Sequence, residues 1–210
     1  MANTRRPLTE IANFLPSGCY EIVIEYLEAY SVQLTVTRKR VTVLGDYRAK
    51  QKNLPHRISV NGNLNRYNFL ITLLHELAHL LTFEKYRHNV SPHGKEWKKE
   101  FSNILSQFLS HNVFPEDISR ALIRSLHNPS ASTCGDINLL KVLRKYDANY
   151  HKSIVVEQVP EGATFKIKGS KLFLRSNKVR TRYRCMEIGT GKWFLFNGMY
   201  EVEEVIKDDS

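Results

Sequence analysis

The chain has 210 residues, of which 42% are hydrophobic and 10% aromatic, enough to bury a core and too many for a disordered chain. Lys and Arg outnumber Asp and Glu by 31 to 21, a net charge of +10 that favours a polyanionic partner, nucleic acid first. Cys19, Cys134 and Cys185 are odd in number and far apart, which argues against a disulfide framework. The polar start, Met1 to Arg6, has no signal-peptide pattern, and the most apolar window, Phe69 to Phe83, is broken by His75, Glu76 and His79. These features predict a reduced, soluble, cytoplasmic protein.

The chain opens with a helical pattern. Leu8, Ile11, Ala12 and Leu15 share one face before Pro16, and Tyr20, Val23, Ile24, Leu27 and Tyr30 repeat at helical spacing. Strand-like runs follow at Val32 to Thr37, Val41 to Tyr47 and Arg57 to Val60, with a turn at Asn61-Gly62-Asn63. A long apolar helix is predicted from about Asn65 to Tyr86, interrupted by Ser91-Pro92-His93-Gly94. A second runs from Lys95 to about Leu109, with Trp97, Phe101, Ile104, Leu105 and Phe108 on one face. Pro115 starts a third, a favoured place for proline. Asn128 to Ser132 reads as a linker, and Asp136 to Tyr146 as a short helix.

From Ser153 the helical period is lost. Ile154 to Gln158, Ala163 to Ile167, Lys171 to Arg175, Val179 to Met186, Lys192 to Phe196 and Tyr200 to Val205 read as strands, with Gly- and Asn-containing turns between them. The expected architecture is an α+β body over 1–130, a connecting helix or linker over 131–152, and a small all-β unit over 153–210.

His75-Glu76-Leu77-Ala78-His79 is the sharpest motif. Residues four apart lie on one helix face, so His75 and His79 can present two imidazoles to one Zn²⁺. Glu76, one position on, can hold and deprotonate the attacking water. The flanking Leu73, Leu74, Leu80 and Leu81 dry the site. A catalytic zinc needs a third protein ligand. Six positions after His79, where one subclass carries histidine, this chain has Lys85. His88, in a charged stretch, reads as a surface residue. Glu96 and Glu100 are carboxylate candidates. His93, between a turn proline and a glycine, is the strongest candidate, because the backbone there can fold back onto the first helix. His56, His111, His127 and His151 lack ligand-like spacing and read as surface or capping residues.

His75 to His79, followed by Ser91-Pro92-His93-Gly94-Lys95-Glu96-Trp97-Lys98, resembles the SprT-like metallopeptidases, the family of bacterial SprT and the Spartan protease. Leu44-Gly45-Asp46-Tyr47 and Ile58-Ser59-Val60-Asn61 are similar to that family's strands before the metal helix, so the likeness runs from about Tyr20 to Phe108. The resemblance implies a zincin-like fold, one catalytic Zn²⁺ on His75, His79 and His93, and Glu76 as the base. It also implies cleavage of proteins, including proteins crosslinked to DNA. The strand Arg57 to Val60 is the expected edge for an extended substrate.

Lys166, Lys168, Lys171, Arg175, Lys178, Arg180, Arg182 and Arg184 fall in a stretch without an acidic residue. Strand alternation puts Arg180, Arg182 and Arg184 on one face and Val179, Thr181, Tyr183 and Cys185 on the other. The expected result is a positive stripe that binds a phosphate backbone in a salt-dependent way, DNA before RNA, with Phe173, Tyr183, Trp193, Phe194 and Phe196 as core or stacking residues. Many SprT-like proteins end in a zinc ribbon. Tyr183-Arg184-Cys185-Met186 looks like a remnant of one, with a single cysteine, so the resemblance implies a ribbon-like unit without structural zinc. The leading reading is a zinc metallopeptidase acting near nucleic acid. The rivals are a nucleic-acid-binding or transcription-associated module with a vestigial or structural metal site, and a zinc hydrolase of a non-protein amide.

Overall fold

The computed structural model describes residues 8–40, 42–126, 129, 136–150 and 153–206. The expected linker falls outside these residues apart from Pro129, as do His127, Cys134 and His151. The chain divides into two compact units, residues 1–147 and 148–210.

The first unit is α+β. A 3-10 helix (Leu8–Phe14) and α1 (Tyr20–Ala29) lead to β1 (Gln33–Thr37), β2 (Gly45–Arg48) and β3 (Arg57–Asn61). Four helices follow: α2 (Arg66–Tyr86), α3 (Lys95–Ser110), α4 (Glu116–Ser125) and α5 (Ile137–Arg144). The sheet order is β1-β3-β2, with β1 parallel and β2 antiparallel to β3. This overturns the expectation that Arg57 to Val60 offers an edge: β3 is bonded on both sides, and the free edge beside α2 belongs to β2. The second strand also starts later than its alternation suggested, at Gly45. The preceding carbonyls are engaged elsewhere, since Asn61 Nδ2 donates to Arg40 O at 3.2 Å and to Val43 O at 3.0 Å.

Twelve of the 21 residues of α2 are buried, on every side. A helix apolar all round becomes the centre of its domain. Leu70, Leu73, Leu74, Leu77 and Leu80 pack among Val23 and Leu27 of α1, Ile58 and Val60 of β3, and Trp97, Ile104, Leu105 and Phe108 of α3. Helix α5 adds Leu139 and Leu143 to the same core. No helix among the described residues is long and apolar enough to cross a membrane.

The second unit holds β4 (Ile154–Val155), a 3-10 turn (Val156–Gln158), β5 (Thr164–Ile167), β6 (Lys171–Val179), β7 (Arg182–Glu187), β8 (Trp193–Asn197), β9 (Glu201–Val202) and β10 (Glu204–Ile206). An antiparallel sheet runs β10-β5-β6-β7-β8, and β4 pairs with β9. Val156, Val159, Phe165, Phe173, Tyr183, Cys185 and Val202 form its core. The run Tyr200 to Val205 is two strands rather than one, because β9 and β10 serve different partners. The run Val179 to Met186 is likewise not one strand. β6 ends at Val179, and Arg180-Thr181 turn the chain into β7.

Candidate metal centre

Asn65 caps α2, its side-chain oxygen accepting the Asn68 backbone N–H at 2.9 Å. One turn separates His75 from His79. The loop between α2 and α3 brings His93 to them. His93 has φ 58°, and Gly94 follows, so close to Ser91 that a Cβ on it would lie 3.0 Å from the Ser91 carbonyl oxygen.

His93 Nε2 lies 3.0 Å from Nε2 of His75 and 3.0 Å from Nε2 of His79. One N–H can bridge only one of those pairs, so three ring nitrogens converge with a lone pair left facing a lone pair. A shared cation satisfies that arrangement, and an all-imidazole donor set suits zinc. Burial lowers the pKa of His75 to about 3 and of His79 to about 4, and neighbouring rings add to the effect. Burial lowers His93 as well. All three are therefore neutral near pH 7, the state that coordinates a metal. Of the described His, Cys, Asp and Glu residues, these three form the one group of metal-binding geometry. Glu100 instead accepts from Lys85 Nζ at 2.6 Å, Glu96 lies 3.8 Å from Lys95 Nζ, and His88 packs near the Phe83 ring.

Glu76 is buried at 7% exposure. Burial pushes its pKa up to about 8; the Asp46 charge adds to this and Arg40 opposes it. Strand β2 lies directly over it: a Cβ on Gly45 would sit 2.6 Å from Glu76 Oε1. The carboxylate is thus pinned between its own helix and the free edge of the sheet.

The sequence reading missed His56, which is 2% exposed rather than on the surface. The Lys50 backbone N–H points at its Nδ1 at 3.3 Å, making Nδ1 the acceptor, so Tyr47 Oη donates to it at 2.9 Å. Nε2–H is then turned to Glu84 Oε1, 3.2 Å away but off a full hydrogen-bond line. The Tyr47 ring lies parallel to that of His79, centroids 6.5 Å apart. Burial also explains the lowered pKa of His56, against the opposing pull of Glu84. No local spacing marked this chain, since its members come from β2, the loop before β3, and α2.

The basic residues of the second unit do not form one stripe. Cross-strand register puts Lys166, Arg182 and Arg184 on the sheet face that carries Leu172, Leu174, Met186, Trp193 and Leu195. Arg184 lies 4.0 Å over the Trp193 ring, and Trp193 and Leu195 are exposed. Lys171 and Arg175 belong to the opposite, core-side face of Phe173: Lys171 pairs with Glu187 at 2.8 Å, and Arg175 lies 4.7 Å over the Tyr183 ring. Past an irregularity in β6, Lys178 also approaches Tyr183. Arg180 is in the hairpin turn, and Lys168 follows the end of β5. Cys185 is fully buried, and burial pushes its thiol up to about 11.

Residues 21–119 match the model of the SprT-like family. That span includes β2, α2, the His93 loop and α3, so the whole histidine cluster lies within the matched region. Neither the curated proteins nor the solved structures contain a significant match to the chain.

Proposed function

We propose that the chain is a zinc-dependent metallopeptidase with a zincin-like core. The observation that carries this reading is the convergence of three imidazoles beside a buried glutamate, under a free strand edge. His75, His79 and His93 would hold the ion. Bound there, zinc would supply Lewis acidity, making a water acidic and polarising a carbonyl.

The chain's own residues supply the rest. An extended polypeptide pairs with the outer edge of β2. Glu76 takes the proton of the attacking water at a carboxylate oxygen and returns it to the leaving amine. The apolar surroundings of α2 exclude bulk water. A purely structural metal site has no use for such a base, which weighs against the rival binding module.

The substrates are proteins associated with or crosslinked to DNA. Lys166, Arg182 and Arg184, with Trp193 beside them, contact the nucleic acid. The test is cleavage of a DNA-crosslinked protein, with and without DNA, by wild type and Glu76→Gln, with zinc content measured on both. Wild type should hold one zinc and cleave, while Glu76→Gln holds zinc and loses about 100-fold or more of the rate. A wild type without stoichiometric zinc, or a Glu76→Gln variant as active as wild type, overturns the proposal.

A further inference from the structure

We propose that Trp97 is the positioning residue of the histidine cluster: its indole is a common floor that sets how the three imidazoles converge. This rests on the metal-centre reading above. Trp97 lies in the first turn of α3, four residues after His93, so the loop that delivers the third histidine also delivers the indole. Its ring centroid is 4.6 Å from that of His75, 5.3 Å from His79 and 4.6 Å from His93. Phe101, one turn on, stacks behind it at 5.1 Å and 14°. The indole is fully buried.

A second observation separates this role from ordinary core filling. Nε1–H of Trp97 is buried without a hydrogen-bond partner. An orphaned donor is unfavourable, and a phenyl ring would fill much of the same space without it. What phenylalanine lacks is the extent of two fused rings, and three imidazoles that meet the indole at 56°, 34° and 79° need that extent for all of them to reach one ring system. Metal-binding histidines are commonly oriented by a hydrogen bond to the other ring nitrogen. Here the orientation comes from one shared indole, which meets two of the rings tilted and the third in an edge arrangement and holds them in place before a metal arrives.

The proposal separates metal affinity from fold stability. In the full-length protein, Trp97→Phe should lower the metal-free thermal midpoint only modestly, because removing the orphaned donor offsets part of the cost of the cavity left by the smaller ring. Zinc affinity, measured by competition with a chelator, should fall by about tenfold or more, the range seen when support behind a ligand is removed. The visible bands of the Co²⁺-loaded variant should shift, since they report ligand angles. In a Trp193→Phe background Trp97 is the remaining tryptophan, and zinc should change its emission. Wild-type zinc affinity with unchanged Co²⁺ bands in Trp97→Phe overturns the proposal. So does an affinity loss that merely tracks a loss of metal-free stability. A wild-type protein that binds no zinc overturns the metal-centre reading itself, a different result from a wild type that binds and a variant that binds equally well.

Discussion

Gly45 shows how tightly single atoms constrain the site. Its φ is ordinary, so the glycine is there for space: an added Cβ would meet Glu76 Oε1 at 2.6 Å and Thr72 Cγ2 at 2.8 Å. Gly45→Ala must push Glu76 or β2 aside. The expected outcome is a loss of about tenfold or more in turnover with a stability cost of about 1–3 kcal/mol, read from initial rates and denaturant melts. Unchanged turnover would show that Glu76 has slack. At this scale the sequence was readable wherever the signal was local. His75 and His79 follow from four-residue spacing, and His93 from a loop that must turn back. Glu96 and Glu100 stayed open in the sequence because their separation from His75 and His79 was as suitable; burial and Lys85 direct Glu100 elsewhere. His56 and the floor beneath the ligands were not readable. Both depend on side chains distant in sequence meeting in the core.

At the level of elements, the helices were legible because their apolar period is long and repeated. Strand pairing was less so, since alternation gives a strand's faces but not its neighbours. That is why β3 looked like an edge and β2 did not. The same limit explains the basic residues. Alternation carried from Val179 to Met186 assumes an unbroken strand, and no glycine or asparagine marks the hairpin turn at Arg180-Thr181. Arg180 adopts φ 54°, a left-handed conformation unfavourable for a residue with a Cβ. Arg180→Gly should therefore stabilise the second unit by about 0.5–1 kcal/mol in denaturant titrations. A destabilised variant would mean that the arginine side chain contributes more than the backbone conformation costs.

Across the whole molecule, the chemistry and the charge belong to different units. The histidine cluster and Glu76 lie within 1–147; the eight cations lie within 148–210. Replacing Lys166, Arg182 and Arg184 together with glutamine should weaken nucleic-acid binding and reduce the slope of log affinity against log salt by about 3. Replacing Lys171 and Arg175 should change that slope less, since these side chains are engaged with Glu187 and Tyr183. Equal effects from the two sets, measured by fluorescence anisotropy at several salt concentrations, would refute the assignment of the open sheet face. The composition alone left a polyanionic partner as an expectation; the register of β5 to β8 separates the cations of the open sheet face from those engaged on the opposite one.

The backbone at His93 limits which residues can stand there. At φ 58° an ordinary side chain is disfavoured, and asparagine, aspartate and histidine tolerate the conformation better than most. Cysteine and glutamate are equally good zinc ligands by their chemistry, but neither belongs to that tolerant set. The loop thus restricts the donor alphabet at this position by torsion rather than by metal preference. Attempts to retune the centre by ligand exchange would meet less backbone resistance at His75 or His79, where the helix accepts nearly any side chain.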